Sequence, residues 1–423
     1  MAITTLDGAI AGFKPPRFFH KGGSSTVVIG RPWSSWYVAG IPGGGAAPGA
    51  VMAGNILESQ QLMDITNASP AVVSRHDGQP HNLVANDLVV FPAGSSPPSG
   101  FSTATNYFVI ATGLTTTAFQ LSATPGGAAI NTTGAGTSVP MAALIDGQLP
   151  FFNPPSGSNT YLGRLTGAMG QGGQILLCDR LWHNGGIASS TSAQIIGSVT
   201  ATASWSLGAS TISVGTGLTT IFPNSNIYDT TSSAIIGSVA SYNSGTGVIT
   251  LNAPALSASS GAADVLSIMP QLPARDANGA AAGVGVLLGL EYNTTGAANT
   301  PTLTIKYTNS AGVAGRTGTS AFSMAASPPV GTFFPITLQA GDLGVQSVQS
   351  IQFSVAPTAG SCNLVAYRII ATLECPLSYG GQAIDLLTGG MPQIFDNTVP
   401  WLVGVPANTT SFNMIGSLVV AQG

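Results

Sequence analysis

The sequence predicts an all-β protein: a central antiparallel β-sandwich, jelly-roll-like, with two inserted small β-modules and extended N- and C-terminal arms. Three observations carry that prediction. Fifty-five glycines and 28 prolines in 423 residues, beside abundant Thr, Ser, Ala and Val, disfavour long helices and favour short strands joined by tight turns. Apolar residues alternate in short runs bounded by Gly, Pro, Asn and Asp. No stretch keeps a 3.6-residue apolar period long enough for an extended helix. The length exceeds what one core fills, which predicts about two to four structural units.

Residues 1–65 read as an arm and lead-in. The first fifty hold four of the eleven basic residues, Lys14, Arg17, Lys21 and Arg31, and the aromatics Phe13, Phe18, Phe19, Trp33, Trp36 and Tyr37. Five prolines and the run GIPGGGAAPGA predict an extended segment that inserts its rings, either into a neighbour or onto the chain's own core.

Residues 66–142 read as a small inserted β-module with strands at 88–91, 107–111, 118–122 and 129–132. Residues 143–197 begin the core sandwich, with strands at 161–165 and 174–178. Residues 198–269 form a second inserted module, with strands at 211–214, 235–239, 248–251 and 265–268. Its IIGSV at 235–239 repeats that at 195–199, too little to define a repeat architecture. Residues 270–379 complete the sandwich. There, TLTIKYT alternates cleanly, KYTNSAGVAGR predicts a hairpin, and QSVQSIQFSV slips between Val348 and Ile351 as at a bulge. Residues 380–423, turn-rich and apolar around Trp401, read as a second arm.

Charge bounds the function. Asp, Glu, Lys and Arg make up only 6% of the residues, against roughly 25% in ordinary soluble domains. Hydrophobic residues make up 44%, and mean hydropathy is +0.35. A free monomer keeps itself soluble with interspersed charge, so a surface this neutral predicts burial against partners. The longest low-polarity stretch, 280–290, is too short to cross a bilayer and ends at Glu291, so no membrane association is expected. MAITTLDGAIAGFKPP lacks the basic-then-apolar order of a secretory signal. A net charge of −4 offers no basic field for nucleic acid.

Catalytic and metal chemistry finds little purchase. Cys178, Cys362 and Cys375 form no CxxC and read as buried thiols; pairing of Cys362 with Cys375 would require the run between them to fold back. The fifteen acids sit mostly at turns, with Asp179 and Glu291 as the best remaining pair for glycan hydrolysis. Cys178, Asp179 and His183 in LLCDRLWHNGG, and His76, Asp77 and His81 in RHDGQPH, fall short of a ligand set or a dyad. No GxxxxGK[ST] occurs, and the expectation is a non-enzyme with no cofactor and no metal.

The strings TLDGAIAGFKPP, RPWSSWYVAG, GQLPFFNPPSGSNTYLGRL, LLCDRLWHNGGI, LPARDANGA, YTNSAGVAGRT, AGDLGVQSVQSI, YRIIATL and GMPQIFDNTVPWLV resemble a group of head-associated virion proteins of tailed phages and prophages. HNLVANDLVVF, NYFVIATGLTTTAFQLS and GGAAINTTGAGT resemble a small β-domain that recurs in phage head and tail proteins. The resemblance implies a capsid decoration or cement protein on the virion head, made in the bacterial host cytoplasm. Its partners would be itself, as a homo-oligomer such as a trimer, and the major capsid protein. No functional residues carry over from it. Large aromatics dominate buried contacts, which makes Phe18, Phe19, Trp33, Trp36, Tyr37 and Trp401 the candidate interface anchors. The alternatives are a tail or baseplate host-recognition protein, whose modules bind surface glycan through exposed aromatics, and, behind it, a major shell subunit.

Overall fold

The computed structural model describes residues 3, 5–25, 31–37, 55–56, 60–78, 81, 83, 85–92, 94–144, 147–155, 157–188, 190–218, 220–296, 299, 301–320, 327–357, 359–407 and 412–423. The chain is all-β. Its regular structure, among those residues, is one short helix, Leu6–Ala11, one 3-10 turn, Ser35–Tyr37, and antiparallel strands. It divides into two compact units, one of Met1–Ala50, Glu58–Asp179 and Ile369–Gly423, the other of Val51–Leu57 and Arg180–Arg368.

The first unit contains a closed six-stranded barrel. Around it run Gln60–Ile65, Val73–Arg75, Ala118–Ser122, Asn106–Ile110, Leu88–Val90 and Gly136–Leu144. Alternation sends Met63, Ile65, Val73, Val89, Val109, Phe119, Leu121, Val139 and Met141 into one core. Closure removes the unpaired edges that a small sheet would otherwise expose. The predicted strand at 129–132 is a loop that touches the barrel at the bridge Ser122–Ala129. The closing strand is Gly136–Leu144, hidden in the sequence by Pro140 and by the left-handed backbone at Ser138.

The rest of this unit is a two-layer sandwich. One layer orders Arg17–Ser25, Phe412–Gln422, Thr160–Met169 and Gln382–Asp385 side by side. The other includes residues 173–179, paired from Gly173–Pro406 to Asp179–Pro400 with Pro400–Pro406, which in turn pairs with Trp33–Ser34. Phe19, Leu162, Leu165, Met414 and Leu418 from the first layer meet Ile175, Leu177, Leu373 and Leu402 from the second. Within the two predicted arms, Arg17–Ser25 and Phe412–Gln422 are therefore paired strands of the chain's own sheet. Arg17–Ser25 lies antiparallel to Phe412–Gln422, so each satisfies the other's backbone donors and acceptors while burying one apolar face.

The second unit holds an antiparallel run in the order Gln194–Ile195, Val345–Phe353, Leu303–Asn309, Arg316–Ser320, Phe333–Thr337 and Leu287–Tyr292. The run continues to residues 362–367, paired from Leu287–Tyr367 to Tyr292–Cys362. Its core gathers Leu288, Leu290, Leu303, Ile305, Phe334, Ile351 and Leu364. The register with Leu303–Asn309 slips between Ser350 and Val348, placing Gln349 in a bulge. A separate six-stranded sheet orders Ser198–Thr200, Val265–Met269, Asn226–Asp229, Ala234–Asn243, Val248–Leu251 and Thr211–Ser213 over its own core of Ile212, Ile227, Ile236, Val239 and Ile249. The two IIGSV copies are not equivalent. Gly197 turns between strands at φ +57, whereas the second copy lies within Ala234–Asn243.

The predicted single sandwich of 143–197 with 270–379 is thus two cores. Gly173–Ile187 gives Ile175 and Leu177 to the first unit's core and Leu181, Trp182 and Ile187 to the second's. Among the described residues no helix is long and apolar enough to cross a membrane.

Candidate functional site

Four of the six candidate anchors are side chains of the first unit's own interior. Phe19 is 1% exposed, Trp33 6%, and Trp36 and Trp401 are fully buried. Local hydrogen bonds explain why RPWSSWY packs this way. Ser34 Oγ accepts from the Trp401 indole N–H at 2.7 Å and from the Trp36 backbone, and Ser35 Oγ accepts from Leu402 N. Gly147, at φ +87, lets its backbone pass against Trp36 where a Cβ would collide with Trp36 Cα. Phe18 is different: it is 69% exposed. The Tyr37 side chain lies outside the described residues.

Lys21 follows Phe19 inward and is 1% exposed, with Nζ 5.0 Å from the centre of the Trp33 ring. Burial pulls its pKa down to about 8.

The charged residues singled out as possible catalysts are internal ties. Arg180 forms a bidentate pair with Glu291 at 2.6 and 3.0 Å, and both side chains are fully buried. Arg180 Nε donates to His183 Nδ1 at 2.8 Å, and Asn363 Nδ2 donates to Glu291. Since a guanidinium only donates, His183 is neutral with its proton on Nε2; burial, then the Arg180 charge, hold its pKa well below the ordinary value. Asp179 accepts from Val399 N and Thr398 Oγ1. Asp179 and Glu291 are both 0% exposed, so neither faces a cleft.

The same use recurs in the turns. Asp276, in PARDANGA, accepts four backbone N–H groups, from Asn278, Ala280, Gly283 and Val284. Asp342, in AGDLG, binds Arg316 through two contacts of 2.9 Å and accepts from Asn309 and Tyr307. Arg316 first, then the Tyr307 and Asn309 hydrogen bonds, hold its pKa at about 2. Asn309 Oδ1 caps the hairpin turn by accepting from Ala311 and Val313. Composition and spacing gave these carboxylates a turn role; the arginine partners Arg180 and Arg316, distant in sequence, had no signal.

The histidine loop does not converge. His76 faces Asp64, Asp77 pairs with Arg75, and His81 is buried between Thr115 O and Leu83 N. Among the described residues no three His, Cys, Asp or Glu side chains cluster as metal ligands, and Cys178, Cys362 and Cys375 are all buried with no disulfide between them.

Among the described residues, ten charged side chains are buried: Lys21, Asp87, Asp179, Arg180, Asp229, Asp264, Arg275, Asp276, Glu291 and Arg368. At most sixteen remain for 16188 Å² of accessible surface. Among the described residues the exposed aromatics are Phe13, Phe18 and Tyr379. None of the nine aromatics in 66–142 and 198–269 is exposed.

No family model matches the sequence. No curated protein matches it. Among solved structures, the chain aligns with the VP2 subviral particle of infectious bursal disease virus at 12% identity, over 88% of this chain and 82% of that one, with a TM-score of 0.14. It aligns with the Gx strain of that virus at 11% identity, over 87% and 79%, with a TM-score of 0.13. Scores this low do not define a shared fold, and these alignments carry no argument about the chain. What distinguishes this molecule is the arrangement of its charge: scarce in the sequence, with ten of its charged side chains buried.

Proposed function

We propose that this chain is a non-enzymatic structural protein of a virion, most directly a decoration or cement protein on the head of a tailed phage. It assembles with its own copies and with the major capsid protein. The observation that supports this reading is the charge-stripped exterior. Much of the scarce charge is spent inside the chain, and several remaining groups neutralise each other locally, as Arg75 with Asp77. Such an exterior loses little on being covered, because desolvating ions is the main cost of burying a surface. Repetition by symmetry then multiplies individually weak apolar contacts.

The test is to band particles from a lysate, measure the copy number of this chain relative to the major capsid protein by gel densitometry, and locate it by immunogold. Head labelling at a fixed stoichiometry is expected; absence from particles refutes the proposal. Labelling at the tail tip would instead favour host recognition, a reading that loses support because none of the aromatics of the two modules is exposed.

A further inference from the structure

The sheet of Arg17–Ser25, Phe412–Gln422, Thr160–Met169 and Gln382–Asp385 has one face in the sandwich core and one outside. Alternation along the first strand buries Phe19 and Lys21 and turns Phe18 and His20 outward. The register then sets two neighbouring rows on the outer face. One runs from Phe18 through Ser417 to Thr166, the next from His20 through Ile415 to Ala168. Phe18 and Ile415 are 69% and 56% exposed.

The second row ends in a depression of about 150 Å³ walled by His20, Ala168, Ile415, Met414 and the exposed Tyr379 ring, with Lys21, Gly170 and Asn413 completing the lining. A cavity of roughly this size with apolar walls holds a benzene ring. The face therefore carries an exposed phenyl group and, one residue row away, a hollow of phenyl size. We propose that this face is a two-fold contact between two copies of the chain, in which Phe18 of each seats in the other's depression beside Ile415 and Ala168. The inference rests on the reading that this chain self-associates, and names where.

Two further features favour a second copy as the occupant. A two-fold contact sets a surface against itself, so a knob and a matching hole must lie on the same patch. A surface meeting its own image must also carry no net charge. Here Arg164 and Asp385 are direct cross-strand partners of opposite sign, and Lys21, in the wall of the depression, is only 1% exposed. Four strands at about 4.8 Å and five residues at about 3.3 Å give a footprint of roughly 19 by 17 Å. That is well short of the roughly 800 Å² per partner of a standard stable interface, so the contact is weak alone and acts within a larger assembly.

Sedimentation velocity of the purified chain over a wide concentration range tests this. Wild type should associate reversibly. Phe18→Ser, which removes the knob, and Ala168→Arg, which fills the hole, should each weaken association by roughly tenfold or more. Leu207→Ser, at an exposed leucine in the turn between Ser198–Thr200 and Thr211–Ser213, should not. Both face positions project outward, and an unchanged melting curve checks that each variant is folded. If wild type associates and both variants match it, this contact is overturned while the structural role stands; if wild type never associates, both fall.

Discussion

Replacing Glu291 by Gln keeps the shape of the side chain and removes its charge, leaving Arg180 ionised and enclosed. At a charge separation near 4 Å and an effective dielectric of about 20, the lost attraction is about 4 kcal/mol. Breaking one side of a buried pair typically costs 3–5 kcal/mol, because the surviving ion has given up water and has no counter-charge. Neither Arg180 nor Glu291 exposes any side-chain surface, so solvent cannot offset the loss. A domain's whole stability is about 5–15 kcal/mol. Urea unfolding followed by intrinsic fluorescence should show the midpoint falling by roughly 1–3 M at a slope near 2 kcal/mol/M. The double replacement Arg180→Met with Glu291→Leu should cost far less than the single changes summed, because apolar groups of similar volume replace buried pairs well. A cost below about 1 kcal/mol for Glu291→Gln would refute the reasoning, since the charge would then be reaching water.

Asp276→Ala should destabilise the second unit by about 3 kcal/mol or more in the same assay, because four backbone donors lose one charged acceptor together. Asp342 has its pKa depressed in the folded state, so its contribution is fully present above the unfolded value near 4 and fades as the pH falls toward about 2. Thermal melts of Asp342→Asn should therefore differ from wild type at neutral pH and converge on it across that acid window. Trp36→Ala should cost about 3–5 kcal/mol and lower the soluble yield, the mark of a core residue; a normally stable variant that fails only in assembly would contradict its placement in the core.

Local chemistry was legible in the sequence where the physics was local. The alternation of Leu303, Ile305 and Tyr307, the hairpin through Asn309 and Gly312, and the slip that becomes the Gln349 bulge follow from a two-residue period and its interruption. Pairing between distant segments was not legible. Arg17–Ser25 and Phe412–Gln422 look like arms because Pro15, Pro16 and the glycine-rich stretch after Trp36 suggest extension, while their partners lie hundreds of residues away. The aromatics illustrate the same limit. Phe18 and Phe19 have equal hydrophobicity, and only the pleat of a strand whose sheet depends on the C-terminus decides which faces inward. The buried arginines were missed for a related reason, since composition showed that charge was scarce but not that it was spent inside.

So neutral an exterior is built to be covered. The size of the purified wild-type chain in solution, followed by sedimentation from dilute to concentrated samples at physiological salt, tests it most directly. Reversible growth into discrete oligomers is expected as concentration rises, persisting at high salt because apolar contacts rather than ion pairs hold them. A monomer that stays dispersed and stable at every concentration would contradict it.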